Sequence, residues 1–412
     1  MSAAVRAVAP SAGPPVALYI HVPFCVSLCP YCDFVVNAGT AARGPRNRIG
    51  AFLEAVLTEI DLRAAAVEAR FGSARRPLET VYLGGGTPSM LAADDIERVL
   101  ARVDERFGIA ADAEVTLEAN PGPDERGDPA ALRRAGVTRI SFGAQSLDDR
   151  ELRRLGRRHR AADVAAAVDG AREAGIGSVN LDLLYDVPDG RLETWMATLD
   201  AALDLAPDHL SLYALTLDDP DAEGLTGATG DHLPTTGGAR RWRETARPAQ
   251  DEDRAASQYD HSARRLADAG FRGYEISNWA RPGHESRHNL VYWERRPYEA
   301  VGPGAHAFDG VSRRWNAARL DGYVGALNST PTPVLPPGGE EPVEAATAIA
   351  ETLILGLRLD TGVPLARAYE PPLADTFGWA TDAQLLDVTA EDRVVLTTRG
   401  RLLSNELFAR LV

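Results

Sequence analysis

Six short β-branched runs, each followed by a longer stretch with helical periodicity, constrain this chain more than any other feature. The runs are "ALYIHV" (17–22), "TVYLG" (80–84), "EVTLEA" (114–119), "RISFGA" (139–144), "VNLDLL" (179–184) and "HLSLYAL" (209–215). Between them lie segments such as 51–71, 94–107 and 194–206. In the second of these, Ile96, Leu100 and Val103 recur at helical spacing with charges on the other faces. Trp195, Leu199, Ala202 and Leu203 repeat the pattern in the third. Strand–helix alternation sustained in this way predicts a parallel sheet with right-handed crossovers. Six units are fewer than the eight of a closed barrel, so the expected fold class is α/β, a partial (β/α)6 barrel. Barrels of this kind place their active sites at the C-terminal ends of the strands.

The unusual residues gather at those ends. The loop after the first strand, "CVSLCPYCDF" (25–34), holds all three cysteines of the chain, Cys25, Cys29 and Cys32. "GGGTPS" (84–89) ends the second strand, Glu118 and Asn120 close the third, Gln145 follows the fourth and Asp182 lies late in the fifth. One polar residue at a strand end is more often a helix cap than a ligand. Five strands delivering such groups to one rim point to a binding site. Gly84, Gly85 and Gly86 permit close backbone approach, and Thr87 adds a hydroxyl. Glu118, Gln145 and Asp182 suit an ammonium or ribose hydroxyls, and Arg157 suits a carboxylate.

Three cysteines are an odd number for a disulfide framework and one short of a closed structural zinc site. On spacing alone two readings stand. Zinc with His21 as fourth ligand is one. The other is an iron–sulfur cluster held by three thiolates, with one iron left open to another ligand.

The formal net charge of −15 argues against nucleic acid as the main partner, because such a surface repels phosphate. The basic run "RELRRLGRRHR" (150–160) reads as a solvated helix face. Residues 1–15 read as a flexible lead without the apolar stretch of a secretory signal. No segment reaches eighteen unbroken apolar residues, so no membrane span is expected. Sparse thiols and no signal make the cytoplasm the expected compartment. The barrel is expected over 16–217, a polar surface loop over 218–253, and a C-terminal α+β domain over 254–412. That domain contains an apolar helix at 344–359 and a strand, turn and helix at 393–412.

C-x3-C-x2-C with Tyr31 before the last cysteine resembles the radical S-adenosylmethionine superfamily. Its members carry a 4Fe-4S cluster and let S-adenosylmethionine occupy the open iron, where an electron cleaves it to a 5′-deoxyadenosyl radical. The resemblance covers nearly the whole chain and is nearest the coproporphyrinogen-oxidase-like branch, on its heme-chaperone side. It is carried by "LYIHVPFC" (18–25), "GGGTPS", "LEANPG" (117–122), "RISFGAQSL" (139–147), "YEISNWA" (274–280) and "SRHNLVYW" (286–293). It implies Cys25, Cys29 and Cys32 as cluster ligands. It also implies Tyr19, Tyr31, Gly85, Gly86, Thr87, Glu118, Gln145, Arg157 and Asp182 as S-adenosylmethionine contacts.

The same resemblance implies heme as cargo, handed to acceptor proteins, respiratory or membrane-associated ones among them. His288 is then the candidate heme ligand, with Tyr292 and Trp293 as walls and His284 and His306 as rivals. The tail resembles a winged helix used for packing. The alternative is an oxygen-independent coproporphyrinogen III oxidase. Three features favour the chaperone: Phe34 stands where the oxidases carry a fourth cysteine, the lead is short, and "HNLVYW" matches the chaperone's HNxxYW pattern. One departure is "YDVP" (185–188), where Asp186 replaces a glycine usual in the family and is expected to disturb the turn.

Overall fold

The computed structural model describes residues 12–44, 47–217 and 220–412. The first half alternates as expected: β1 (Ala17–Val22), α1 (Ile49–Phe71), β2 (Leu78–Gly85), α2 (Ala93–Phe107), β3 (Ile109–Ala119), α3 (Pro129–Arg134), β4 (Arg139–Gln145), α4 (Asp149–Arg154), α5 (Ala161–Glu173), β5 (Ser178–Tyr185), α6 (Leu192–Asp204) and β6 (His209–Ala214). Each of these strands pairs in parallel with the next. The period of two decides which way each residue points. Leu83, Leu117, Ile140, Leu181 and Leu210 are fully buried in the main core. Tyr82, Glu118, Ser141, Asp182 and Ser211, each one residue away, line a cavity on the other face. On the helix side, α2 buries Ile96, Val99, Leu100, Val103 and Phe107 and ends at Gly108, whose φ of +78° suits only glycine well. A fully buried leucine or isoleucine contributes about 1.5–3 kcal/mol relative to an exposed one, so this stripe holds the helix down.

The second half does not stand apart from the sheet. It comprises α7 (Gly237–Ala246), α8 (Glu252–Asp268), β7 (Arg272–Gly273), β8 (Asn278–Ala280), α9 (Arg287–Trp293), β9 (Tyr298–Val301), β10 (His306–Phe308), β11 (Ser312–Asn316), α10 (Leu320–Leu327), β12 (Gly338–Pro342) and α11 (Ala345–Arg358). The strand order is β12-β11-β10-β9-β1-β2-β3-β4-β5-β6-β8-β7. β9 joins β1 in parallel, with Ala17 opposite Tyr298, and β8 joins β6 antiparallel. The two outer strands do not pair with each other, so the barrel is open.

Residues 272–342 therefore complete the main sheet, although the sequence reading assigned them to a separate C-terminal domain. A second apolar core lies further on, built from Leu353, Leu357, Leu373, Val394 and Leu407 among others. It is formed by α11 with β13 (Val363–Pro364), α12 (Ala374–Asp382), β14 (Leu386–Val388), β15 (Arg393–Leu396), α13 (Thr398–Leu402) and α14 (Ser404–Phe408). The strands make a small antiparallel sheet in the order β13-β15-β14.

The stretch 218–253, expected as a surface loop, needs correction, since it carries α7. Thr236 caps that helix by accepting from the Ala239 amide, and Ala239, Arg243 and Ala246 form its buried side. Residues 1–11 of the expected flexible lead lie outside the described residues, and Gly13 donates a backbone hydrogen bond of 2.8 Å to Asp309. Among the described residues no helix is long and apolar enough to cross a membrane.

Candidate cofactor and ligand cavity

The cysteine loop is tied at its base and clamped from outside. Phe24–Cys25 pairs with Asn37–Ala38, which closes the loop into a compact excursion. Arg243 of α7 donates to the carbonyls of Pro30 (3.1 Å) and Cys32 (3.0 Å), and the Trp242 ring lies beside Tyr31. Neither α7 residue was anticipated from the sequence. Inside the loop, Arg157 Nη1 donates to Cys29 Sγ at 3.3 Å, and Cys25 Sγ lies 3.2 Å from Thr87 Oγ1. Burial pushes the Cys25 thiol up to about 11 and raises Cys32 as well. A bound metal reverses that preference and holds coordinating thiols as thiolates.

The glycine turn brings backbone to the rim. Gly85 has φ +105°, and a Cβ on Gly86 would lie 2.6 Å from the Phe24 carbonyl oxygen. Glu118 accepts from the Gly85 amide (2.9 Å) and the Tyr82 hydroxyl (2.8 Å), and burial pushes its carboxyl up to about 7. Asp182 accepts from Ser141 (2.9 Å) and Asn180 (2.8 Å), and burial again raises it. Gln145 adopts the left-handed region at φ 66°. Arg157 spans the rim, bonding the Gly143 carbonyl at 2.8 Å and the Asn120 side chain. All these groups, with the three cysteines, Tyr31 and Thr87, line one cavity of about 790 Å³. That volume is in the usual range for small-molecule sites. The inner face also supplies Tyr82, Asn180, Ser211 and Tyr213, which strand alternation would have revealed from the neighbours Glu118 and Asp182.

Tyr19 points to the inner face of the sheet, opposite Tyr82: its hydroxyl meets His21 Nδ1 at 3.0 Å, its ring stacks on Tyr82, and it stands just behind the residues that line the cavity. His21 is buried, with Nε2 2.8 Å from the Val35 carbonyl, and burial lowers it to about 4. Both its nitrogens are engaged, so zinc loses the fourth ligand that the spacing left open. Among the described residues no three His, Cys, Asp or Glu side chains converge on a single-ion position. A cluster of several irons takes its thiolates on different irons and does not require such convergence. The soft donor set on a half-buried, clamped loop fits it.

His288 needs correction. It is 1% exposed, with Nδ1 2.7 Å from Thr80 Oγ1 and Nε2 2.8 Å from the Tyr292 hydroxyl. Burial lowers it to about 3, and it does not line the cavity. Both nitrogens serve the core, which leaves none for heme iron. Tyr292 packs against His288 and Tyr298, whereas Trp293 does reach the cavity. The rivals fare no better: His306 pairs with Asp231 at 2.9 Å, His284 sits 3.2 Å from Ser178 Oγ, and neither lines the cavity.

Asp186 leaves the turn intact. It holds φ 55°, a region that aspartate tolerates better than most residues, and Arg254 Nε donates to its carboxylate at 3.0 Å. Its amide donates to Gln258 Oε1 at 2.9 Å, so α8 fixes the strained turn from outside. Phe34 lines the cavity mouth with 61% of its surface exposed.

The model for the Radical SAM superfamily matches residues 19–199. The chain is 38% identical over 404 residues to the heme chaperone HemW of Mycobacterium tuberculosis, covering 98% of this chain and 96% of that protein. It is 37% identical over 293 residues to the HemW of Escherichia coli, 71% and 70% of the two chains. Among solved structures, the coproporphyrinogen III oxidase HemN of Escherichia coli superposes with a TM-score of 0.76 at 22% identity, covering 97% of this chain and 90% of the other. That likeness shows the fold alone. On sequence, the chain belongs to the radical S-adenosylmethionine superfamily and, within it, to the HemW family.

Proposed function

We propose that this protein is a heme chaperone, which binds heme and delivers it to acceptor proteins in the cytoplasm or at the membrane surface. The observation that carries the reading is 38% identity to a heme chaperone along 98% of the chain. In this reading Cys25, Cys29 and Cys32 hold a 4Fe-4S cluster. Tyr19, Tyr31, Gly85, Gly86, Thr87, Glu118, Gln145, Arg157 and Asp182 hold S-adenosylmethionine. When bound, the pair supplies an electron and an activated sulfonium. The chain's own residues orient and shield that pair: the Gly85–Gly86 backbone admits a ligand closely, and the carboxylates of Glu118 and Asp182 face its cationic or hydroxyl groups. Arg157, bonded to Cys29, keeps a positive charge against the sulfurs.

The alternative activity, oxygen-independent coproporphyrinogen III oxidation, lacks support at Phe34, an exposed phenyl where the oxidases carry a thiol. Titrating anaerobically reconstituted protein with heme should give a saturable Soret change at micromolar heme. The same preparation, given coproporphyrinogen III, S-adenosylmethionine and a reductant, should form no protoporphyrinogen. Turnover without saturable heme binding would replace the chaperone with the oxidase.

A further inference from the structure

The cavity has a second end, away from the cysteines, and its chemistry is different. Its walls there are Trp293 of α9, Ile354 of α11, Phe408 of α14 and Ile276, all partly buried. Ile276, Ile354 and Phe408 pack against the second apolar core. Arg358, the last residue of α11, lies in the same wall with its guanidinium 4.1 Å above the Trp293 ring. Its Nε sits 2.6 Å from the fully buried Glu275 carboxylate, and Nη2 lies 3.4 Å from Ser277 Oγ. Among the described residues nothing accepts a hydrogen bond from Nη1, which is not among the buried unpaired atoms. "YEISNWA" and "SRHNLVYW", two stretches set apart by the sequence, thus meet at one arginine.

We propose that heme lies in this far end, its macrocycle against Trp293, Ile354 and Phe408 and a propionate on Arg358, with no histidine of this protein on its iron. The proposal rests on the chaperone reading and adds the seat and the mode of holding.

Charge orients the cargo. The rim presents the carboxyl groups of Glu118 and Asp182, which offer a propionate no positive charge. Of the three arginines lining the cavity, Arg157 is bonded to Cys29 and Gly143, and Arg139 to Ser178 and the His284 carbonyl. Arg358 alone of the three adjoins the apolar walls. Stacking on indole holds a guanidinium plane in place while its outer edge stays open to a carboxylate.

Histidine ligation from within the cavity is blocked by hydrogen bonds already made. His209 is the histidine that lines it, and its Nδ1 is 2.6 Å from Asn180 while its Nε2 is 2.9 Å from the Tyr274 hydroxyl. A carrier that grips the macrocycle and propionates leaves the iron open. An acceptor's imidazole can then capture the iron and draw the heme out, with no protein–iron bond to break first.

Three ligands separate the contributions: heme, iron-free protoporphyrin IX and heme dimethyl ester. Protoporphyrin IX should bind wild type within about tenfold of heme, because iron adds little to the grip. The ester should bind roughly ten- to hundredfold more weakly than heme, the usual range for a lost charged hydrogen bond. Arg358→Leu should weaken heme by a similar factor and abolish the difference between heme and ester, while Arg358→Lys restores part of it. The wild-type ligand series stands even if Arg358→Leu fails to fold over the buried Glu275. Heme bound far more than tenfold tighter than protoporphyrin IX, or ester bound as tightly as heme, overturns the inference and leaves the chaperone intact. If neither heme nor protoporphyrin IX binds, the chaperone reading itself falls.

Discussion

The two ends of the cavity are built on opposite terms. At the rim, backbone and short polar groups come from the sheet itself, and each is already fixed by a partner: Glu118 by Gly85 and Tyr82, Asp182 by Ser141 and Asn180. At the far end, large side chains lean on a separate core formed by residues 353–411, with one cation among them. A preorganised polar cradle selects a small ligand by its individual groups. A broad apolar wall selects by area and tolerates sliding. The difference teaches that the proposed cofactor cradle and the proposed cargo seat rest on different supports, so a mutation should be able to remove one without the other.

The largest expected effect tests that independence directly. Cys29→Ser removes one of the three thiolates and should abolish the iron–sulfur chromophore, read as iron and acid-labile sulfide per chain after anaerobic reconstitution. Heme affinity should stay at the wild-type value. If heme binding vanishes with the cluster while circular dichroism shows an intact fold, the two ends form a single site and the comparison collapses.

A smaller effect belongs to the rim alone. In Gly86→Ala the new Cβ meets backbone atoms of Phe24 and Val22 at 2.6–2.8 Å, and no flexible side chain can yield in their place. Overpacking of this kind costs about 1–3 kcal/mol, or roughly ten- to hundredfold in affinity. Equilibrium binding of S-adenosylmethionine to the reconstituted variant should show that loss, and heme binding should not. Unchanged S-adenosylmethionine affinity would move the nucleoside away from the glycine turn.

How much of this was legible beforehand follows from the physics of each part. The six strands were, because β-branched runs and helical stripes are local signals, and the rim followed from where those strands end. Helix α7 was read as loop because its glycines and threonines mask a weak stripe. Ala239, Arg243 and Ala246, spaced four and three apart, were the signal that could have found it. The Glu275–Arg358–Trp293 grouping had no local signature, since its members come from segments up to 83 residues apart that only the fold unites. Extension of the sheet by 272–342 was hidden for the same reason: its strands are short, and they pair with partners remote in sequence.

The smallest expected change in heme binding, none at all, comes from the stretch that looked most like a heme site. His288→Phe keeps a flat ring beside Tyr82 and Tyr292 but leaves the hydroxyls of Thr80 and Tyr292 without their partner. Burying unsatisfied groups costs about 1–3 kcal/mol, so the variant should unfold at lower denaturant while binding heme as wild type does. The pH dependence gives a second reading of the same histidine. Burial lowers His288 to about 3, so between there and the ordinary value of 6.5 the unfolded chain takes up a proton that the folded one refuses. Its contribution to stability is therefore complete above pH 6.5 and is lost as the pH falls toward 3. The variant lacks that uptake, and its stability should fall less steeply below pH 6.5, by at most one proton, or about 1.4 kcal/mol per pH unit. Denaturant midpoints measured between pH 5 and pH 8 would show the two curves converging on the acid side. Parallel curves together with a lost Soret change would return His288 to the iron and the cargo to the histidine motif.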